Sequence, residues 1–254
     1  MPDVPQLSAL ELLRRWDDQQ TVYIRHRAHR FDTIARTVAR FGGERPRILD
    51  LAAGPGSLSR LMRDRLPACQ VVAVDKDPVL LSIADEVFAD DPAVEVVDAD
   101  LDSPAWLERV SGSFDAVVSS TALHWLVPHV LVRTYGELAG LIRPGGVFLN
   151  GDHLLYDATA NAGLRQLAAA DDERTQAELR ATGADSWDAW WELANGQSRY
   201  AEAALARERV WRDRSGPVPK VSLGFHLETL RSTGFGEVGT VWQYFDDYVV
   251  AGIR

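Results

Sequence analysis

Short apolar runs alternate with helical patterns along the middle of the chain. Residues 48–51, 71–74, 94–97 and 114–120 are rich in valine and other apolar residues, and each run has the length of a buried strand. The segments between the runs carry apolar residues at helical spacing, with glycine and proline at the connections. From about residue 46 to 150 this alternation predicts a parallel sheet with helices on its faces and a ligand crevice at the carboxyl ends of the strands.

The flanking segments show different patterns. Residues 7–20 and 22–41 have the apolar spacing of two amphipathic helices. Residues 154–219 are alanine-rich and helical in pattern, which predicts an insertion before the last strands. Residues 238–244 and 248–253 alternate or run apolar, and they predict a final pair of strands.

The predicted insertion contains a tryptophan cluster. Trp187, Trp190 and Trp191 stand at positions i, i+3 and i+4, so they share one face of a helix. Packing within the insertion or against a second subunit explains this face as well as a substrate wall does. Residues 216–219, Gly-Pro-Val-Pro, predict a linker after the insertion.

A glycine turn follows the first apolar run. Gly54 and Gly56 permit positive φ and a close approach of the backbone to a ligand. A dinucleotide site requires a third glycine or alanine at position 59, where this chain has Ser59, and Pro55 offers no amide to a pyrophosphate. The Gly-Lys-Ser/Thr sequence of a Walker loop is absent. An ordinary strand-to-helix turn without a ligand is an alternative interpretation of the two glycines.

Acidic residues close three of the predicted strands. Asp50, Asp75 and Asp100 stand at or just after the ends of apolar runs. Asp75 follows the glycines by about 20 residues, the position from which a carboxylate can bind a ribose diol. Three like charges around a pyrophosphate would cost several kcal/mol at order of magnitude, whereas a cation would be favoured. The pattern therefore favours a nucleoside that carries positive charge and no phosphate.

These residues resemble the motifs of the class I S-adenosylmethionine-dependent methyltransferases. The resemblance rests on Asp-Leu-Ala-Ala-Gly-Pro-Gly at 50–56, Val74-Asp75, Asp100-Leu101, the run at 114–120 and Leu-Ile-Arg-Pro-Gly-Gly-Val-Phe at 141–148. It covers most of residues 14–152. Ala52 departs from the glycine that is usual in the family, and its methyl group tightens the loop.

The resemblance implies an α/β fold: a seven-stranded, mostly parallel, doubly wound sheet with a C-terminal antiparallel strand, N-terminal helices and a helical insertion between strands five and six. It divides the chain into a Rossmann-like cofactor domain at residues 1–153 and 217–254, with a helical cap at 1–43. The remaining residues, 154–216, form the insertion and part of the acceptor pocket.

The resemblance also implies S-adenosylmethionine as the cofactor and S-adenosylhomocysteine as its product. Asp75 would hold the ribose hydroxyls, while Asp100 and Leu101 would contact the adenine. Arg30 would orient a carboxylate, because a guanidinium can pair with it through two N–H groups. The residues expected to bind the cofactor are Tyr23, Arg30, Asp50, Ala52, Gly54, Gly56, Asp75, Lys76, Asp100, Leu101 and Ser119.

Two histidines are candidate catalytic bases. His124 comes first and His153 second, and each could take a proton from an acceptor hydroxyl. Asp152 could orient His153, and a structural role explains His124 equally well. A carboxylate acceptor would need no base. The residues expected to bind the acceptor are Trp16, Arg27, Trp125, Trp187 and Trp191. We expect no metal, because no spacing demonstrates three converging ligands.

Composition narrows the classes of partner. The chain has 254 residues and a net charge of −10, so its surface is expected to repel nucleic acid. The basic run at residues 25–30 predicts a solvated helix face. No segment approaches the ~18 apolar residues of a membrane span, and the N-terminus lacks a secretory pattern, which favours a cytoplasmic protein. A second copy of the chain could pack on the tryptophan face, so a homodimer is a further expectation.

Together these patterns predict an enzyme that transfers a methyl group from S-adenosylmethionine to an oxygen, nitrogen or carboxylate nucleophile of a small molecule. The competing hypothesis is an NAD(P)-dependent oxidoreductase on the same sheet, although no tyrosine has lysine four residues later, as the short-chain type requires. A third hypothesis is a protein that binds S-adenosylmethionine without catalysis.

Overall fold

The computed structural model describes residues 5–212 and 221–254. Its strands within these ranges are β1 Arg47–Leu51, β2 Gln70–Asp75, β3 Val94–Asp98, β4 Phe114–Ser120, β5 Ile142–His153, β6 Glu237–Tyr244 and β7 Asp247–Ile253. These seven strands form one sheet in the order β3-β2-β1-β4-β5-β7-β6.

The first five strands are parallel, whereas β7 runs antiparallel to both β5 and β6. His153 near the end of β5 pairs with Asp247 at the start of β7. The carboxyl ends of the parallel strands and the first residue of β7 therefore meet at one edge of the sheet. The predicted sheet, mostly parallel with an antiparallel C-terminal strand, is confirmed.

The strands are connected and covered by helices. Within the described residues these are α1 Ala9–Tyr23, α2 Arg27–Phe41, α3 Ser57–Arg65, α4 Pro78–Val87, α5 Pro128–Leu141, α6 Ala162–Arg180, α7 Trp187–Asn195, α8 Ala201–Trp211 and α9 Leu223–Ser232. Helices α6, α7 and α8 form the insertion predicted between strands five and six. The predicted linker at residues 216–219 lies outside the described residues, and the division into two domains stays a prediction. Across the described parts of the chain, no helix is both long and apolar enough to cross a bilayer.

Both faces of the sheet are packed with apolar side chains. Successive residues of a strand point to opposite faces, so Ile48 packs with α2 and α3 while Leu49 packs with α5 and α9. A third cluster joins Leu12 of α1, Ile83 of α4 and Trp190 of α7. Because α4 begins at the carboxyl end of β2, this cluster attaches the insertion to the edge where the parallel strands end.

The basic run at residues 25–30 forms only part of the solvated face that was predicted, because His26, Ala28 and His29 are exposed while Arg25 and Arg30 are buried. Arg25 is only 3% exposed, and Arg30 is fully buried. Arg25 pairs with Asp246 at 2.8 Å, and Arg30 pairs with Asp247 at the same distance. Arg25 also pairs with Asp171 at 3.1 Å, so the partners of both arginines come from distant parts of the chain, which the local sequence pattern could not indicate.

Candidate functional site

A cavity of about 860 Å³ lies between the carboxyl ends of the parallel strands and helices α1, α7 and α8. This volume is in the upper range of pockets that enclose small ligands. The predicted site residues that line it are Trp16, Tyr23, Arg27, Asp50, Ala52, Gly54, Asp75, Lys76, Asp100, Leu101, His124, Trp125, His153, Trp187 and Trp191. Three predicted residues, Arg30, Gly56 and Ser119, are not part of the lining.

The turn after β1 uses left-handed backbone conformations. The φ angles are 59° at Gly54, 94° at Gly56 and 52° at Ala52, which adopts this conformation despite its methyl group. A Cβ at Gly56 would lie 2.4 Å from Cε2 of Phe88, so packing requires glycine there. At Gly54 the nearest atom to such a Cβ is 3.9 Å away, on Leu80. Gly54 therefore leaves its backbone open to a ligand, whereas Gly56 shapes the turn.

Asp75 holds the glycine turn through its carboxylate. Oδ2 accepts from the N–H of Gly54 at 2.8 Å, and Oδ1 accepts from the N–H groups of Lys76 and Asp77 at 2.7 and 2.9 Å. An ionised carboxylate offers about four acceptor positions, so about one remains for a ligand hydroxyl. Burial raises the pKa of Asp75, and the backbone N–H donors oppose that rise.

Asp50 is buried and forms no ion pair with a described Arg or Lys. Its Oδ2 accepts a hydrogen bond from the hydroxyl of Ser59 at 2.6 Å. Burial raises the pKa of Asp50 to about 7; the Ser59 hydroxyl opposes this rise, and the charge of Asp75 adds to it. A cationic ligand would favour the ionised form of both carboxyl groups.

The acidic residues that follow β3 already pair with a lysine. Nζ of Lys76 lies 3.0 Å from Oδ1 of Asp100 and 3.0 Å from Oδ2 of Asp102. Leu101 stands between the two acids, and its carbonyl accepts a hydrogen bond from the guanidinium of Arg133. This edge of the cavity is partly neutralised within the chain, which suits an uncharged base better than a second cation.

His124 and Asp152 form a hydrogen-bonded pair in the cavity wall. Nδ1 of His124 lies 2.7 Å from Oδ1 of Asp152, whose Oδ2 accepts from the backbone N–H of His124 at 3.1 Å. Burial alone would raise the pKa of Asp152, but His124, Arg30 and His153 together lower it to about 2. Asp152 is therefore ionised at neutral pH, so Nδ1 donates and Nε2 is the ring nitrogen with a lone pair.

His153 lies beside this pair, but Asp152 does not orient its ring. Asp152 accepts only the backbone N–H of His153, at 2.9 Å, while Nε2 of His153 is 3.7 Å from Oδ2 of Asp247. Burial and the charge of Arg30 lower the pKa of His153 to about 4, so the ring is neutral at pH 7. The carboxylate expected to orient His153 thus orients His124. Among the described residues, no cluster of three or more His, Cys, Asp or Glu side chains is arranged to hold a metal ion.

Arg30 and Ser119 lie behind the cavity wall. The guanidinium of Arg30 donates to Oδ1 of Asp247 at 2.8 Å, to the hydroxyl of Ser120 at 3.0 Å and to the hydroxyl of Thr121. Ser119 donates to a carbonyl of β1 at 2.9 Å and ties β4 to β1. Arg30 therefore supports Ser120 and Thr121, which line the cavity, and is not placed to contact a ligand carboxylate as predicted.

Tryptophans of α1 and α7 form an aromatic wall. The ring centroid of Trp16 lies 5.7 Å from that of Trp187 and 6.2 Å from that of Trp191, and all three rings line the cavity. Trp190 is fully buried instead, and its indole N–H donates to the carbonyl of Leu12 at 3.1 Å. The tryptophan face that the sequence left ambiguous therefore both packs the insertion and walls the cavity.

The lining also includes residues that the sequence analysis did not assign to a ligand, among them Asp77, Arg207 and Trp211. Arg207 and Trp211 stand four positions apart on α8, so their common face could be read from the sequence. The surface that this face contacts depends on the tertiary structure, and it is described below.

The mostly parallel seven-stranded sheet has a Rossmann-like α/β fold, and the glycine turn and the acidic residues lie at the strand ends where such folds place their ligand crevice. Residues 48–146 match the family described as "Methyltransferase domain". This segment is therefore similar to methyltransferase domains.

Similar curated proteins are trans-aconitate 2-methyltransferases. The protein from Mycobacterium tuberculosis (strain ATCC 25177 / H37Ra) is 33% identical over 159 residues, which cover 60% of this chain and 54% of that protein. The protein from Azoarcus sp. (strain BH72) is 31% identical over 154 residues, which cover 59% and 56%. The chain therefore spans little more than half the length of these relatives.

Solved structures share the fold at low sequence identity. Human N-acetylserotonin methyltransferase in complex with S-adenosylmethionine aligns with a TM-score of 0.58 at 15% identity, over 97% of this chain and 56% of that chain. The methyltransferase SibL in its apo form aligns with a TM-score of 0.56 at 16% identity, over 88% and 54%. At these identities the likeness concerns the fold alone.

Proposed function

We propose that this chain catalyses methyl transfer from S-adenosylmethionine to a small molecule. The observation that carries the proposal is the pair of carboxyl groups at the glycine turn, the buried Asp50 and the half-buried Asp75, which form no ion pair with a described Arg or Lys. A phosphorylated cofactor would add negative charge at this edge, whereas a sulfonium nucleoside would supply a cation.

The cavity residues fit the parts of such a cofactor. Asp75 would accept from a ribose hydroxyl, and Asp100 with Leu101 would contact the adenine. Gly54 and Asp50 would face the methionine end. The bound cofactor supplies an electrophilic methyl group; the residues of this chain would align the acceptor with it and exclude water.

For the acceptor, the first candidate is an organic acid. The relatives from Mycobacterium tuberculosis and Azoarcus are named for trans-aconitate. Arg27 lines the cavity, where its guanidinium donates to Asp17 at 2.8 Å and lies 4.3 Å from the centroid of the Phe31 ring. The guanidinium fork could bind a carboxylate as well, so Arg27 takes the orienting role first expected of Arg30. A carboxylate acceptor would need no base.

The second candidate acceptor is a hydroxyl compound, which the His124–Asp152 hydrogen bond favours. Asp152 holds the tautomer in which Nε2 of His124 can accept a proton from the acceptor. His153 is the alternative base, and its lowered pKa keeps it neutral but makes it a weaker proton acceptor than an ordinary histidine.

Isothermal titration calorimetry tests the cofactor. We expect S-adenosylhomocysteine to bind and NADH not to bind. Binding of NADH without S-adenosylhomocysteine would support the oxidoreductase and overturn the proposal.

Incubation with isotopically labelled S-adenosylmethionine tests the transfer. The protein would be given trans-aconitate in one reaction and a metabolite extract in another, followed by mass spectrometry. A labelled methyl ester supports the organic acid, and a labelled methyl ether supports the hydroxyl compound. Intact cofactor binding without labelled product in either reaction would indicate a non-catalytic binding protein.

The cytoplasmic location and the homodimer stay predictions from the sequence. Trp190 packs within the chain, so the tryptophan face is already partly occupied. Size-exclusion chromatography with light scattering would measure the mass in solution and decide between monomer and dimer.

A further inference from the structure

Two side chains of helix α8 form hydrogen bonds with Asp77, which follows the end of β2. Oδ2 of Asp77 accepts from Nε of Arg207 at 2.8 Å and from the indole N–H of Trp211 at 2.8 Å. Its other oxygen caps the start of α4 by accepting from the N–H groups of Val79 and Leu80 at 3.0 and 3.3 Å. Asp77 is almost completely buried, and it therefore joins α8 to α4 and to the end of β2.

This contact lies in the half of the cavity that contains Asp75 and Asp100, at the end of β2 and after β3. Asp77 follows Asp75 by two residues, and its N–H donates to the carboxylate of Asp75 at 2.9 Å. Nζ of Lys76 lies 5.2 Å from the centroid of the Trp211 ring and also contacts Asp100. The indole of Trp211 therefore lies beside the ends of β2 and β3.

Arg207 of α8 also packs against Trp191 of α7 in this part of the cavity. The guanidinium carbon of Arg207 lies 3.6 Å from the ring centroid of Trp191, close enough for a cation–π contact. Arg207, Trp191 and Trp211 all line the cavity. An aromatic ring next to a ribose-binding carboxylate offers a purine base a surface for stacking.

We propose that Arg207 and Trp211 belong to the cofactor site: Trp211 packs against the adenine, and Arg207, fixed by Asp77, holds the nucleoside against the ends of β2 and β3. The inference rests on the proposed function. It changes the role expected of the insertion, because one of its helices contacts the cofactor while α7 faces the acceptor with Trp187.

The experiment measures the affinity of wild type and variants for S-adenosylhomocysteine and for adenosine by calorimetry. Stacking of an aromatic side chain on a base corresponds to an affinity change of about 5- to 150-fold, so Trp211→Ala is expected to weaken both ligands by a similar factor in this range. Trp211→Phe keeps a ring but loses the N–H donor to Asp77, and is expected to lose less affinity than Trp211→Ala. Arg207→Gln is expected to weaken both ligands as well.

A matched control lies on the same insertion. Arg199 pairs with Glu86 of α4 at 2.9 Å, and neither residue lines the cavity. Arg199→Gln removes an attachment of the insertion without touching the proposed nucleoside surface, and it is expected to leave both affinities unchanged. Circular dichroism and thermal unfolding check that every variant is folded.

The remaining outcomes contradict the inference in distinguishable ways. If Trp211→Ala and Arg207→Gln bind both ligands like wild type but raise KM for the acceptor, α8 belongs to the acceptor site and the inference is wrong. If Arg199→Gln weakens binding as much as the other variants, attachment of the insertion explains the effect, and direct contact is refuted. If wild type binds neither ligand, the proposed function fails first and the inference fails with it.

Discussion

Two groups of aspartates lie near the same edge of the sheet and have different partners. Asp246, just before β7, pairs with Arg25 at 2.8 Å, and Asp247, the first residue of β7, pairs with Arg30 at the same distance. Asp50 and Asp75, at the ends of β1 and β2, are held by a hydroxyl and by backbone N–H groups instead. The first group is neutralised within the chain, and the second is held in place by neutral donors.

This difference separates charges that stabilise the fold from charges that can bind a ligand. Burial raises the pKa of Asp247 to about 6 even beside Arg30, so its desolvation is only partly offset. Burial raises the pKa of Asp50 to about 7, and no arginine or lysine of the described residues pairs with it to offset this rise. A buried carboxyl group without a cation is costly to ionise, and a cationic ligand recovers that cost on binding.

The largest expected effect is the loss of stability when the buried ion pair of Arg30 and Asp247 is broken. Arg30→Met leaves Asp247 buried without its partner, which should lower the free energy of unfolding by about 3–5 kcal/mol. Urea denaturation measures the change. Arg14→Met is the control, because Arg14 and Asp18 form an exposed pair that should contribute less than about 1 kcal/mol. Equal stability of the Arg30 variant and wild type would show that the internal pair does not offset the burial of Asp247.

The next effect concerns His124, whose partner Asp152 is buried while its ring faces the cavity. If the acceptor is a hydroxyl compound, His124→Ala should lower turnover by ~10²-fold or more while the affinity for S-adenosylhomocysteine stays intact. Steady-state kinetics and calorimetry measure the two quantities separately. Normal turnover would give His124 a packing role and would favour the carboxylate acceptor, which needs no base.

Asp75→Ala removes one of the two carboxyl groups, Asp50 and Asp75, that are proposed to bind the ligand. Loss of the acceptor for a ribose hydroxyl should weaken S-adenosylhomocysteine binding by about 1–3 kcal/mol, measured by calorimetry. Asp98→Ala is a matched control, since Asp98 is the register partner of Asp75 on β3 but is exposed and does not line the cavity. An unchanged affinity in the Asp75 variant would remove this residue from the site.

The smallest effect is a pH dependence of binding that comes from Asp50. Because its pKa is about 7 in the free protein and a cation favours the ionised form, S-adenosylmethionine should bind more weakly as the pH falls below 7. The loss should reach at most about tenfold per pH unit for this single group. Calorimetry from pH 6 to pH 8 measures it, and Asp50→Asn should remove the dependence. A flat profile in wild type would place the cation away from Asp50.

The parts of the site that follow from the sequence are those set by strand topology. Apolar runs that alternate with helical segments predict a parallel sheet, and parallel strands bring their carboxyl ends, with Asp50, Asp75 and Asp100 at or just beyond them, to one edge. The glycine turn predicted a close approach of backbone to ligand, and Gly54 lies in the cavity lining accordingly. These residues could be placed because the relevant contacts are between neighbouring strands.

The parts that could not be predicted depend on contacts between distant segments. Arg30 and Asp247 are separated by 217 positions, so nothing near Arg30 indicates that its guanidinium is already occupied. Arg207 and Trp211 share a helix face, but spacing within α8 does not say that this face meets Asp77. Helical periodicity tells which side chains lie together, and the surface they meet is decided by the tertiary fold.

The reversed direction of β7 has a consequence for how the molecule forms during synthesis. Asp246 is made 221 residues after Arg25, and Asp247 is made 217 residues after Arg30. Until both acids have been made, Arg30 of α2 lacks its carboxylate partner, and Arg25 can pair only with Asp171 and Asp172 of α6. In a nascent chain the N-terminal helices should therefore remain open to proteases until the hairpin emerges, which makes the cavity one of the last parts of the molecule to take shape.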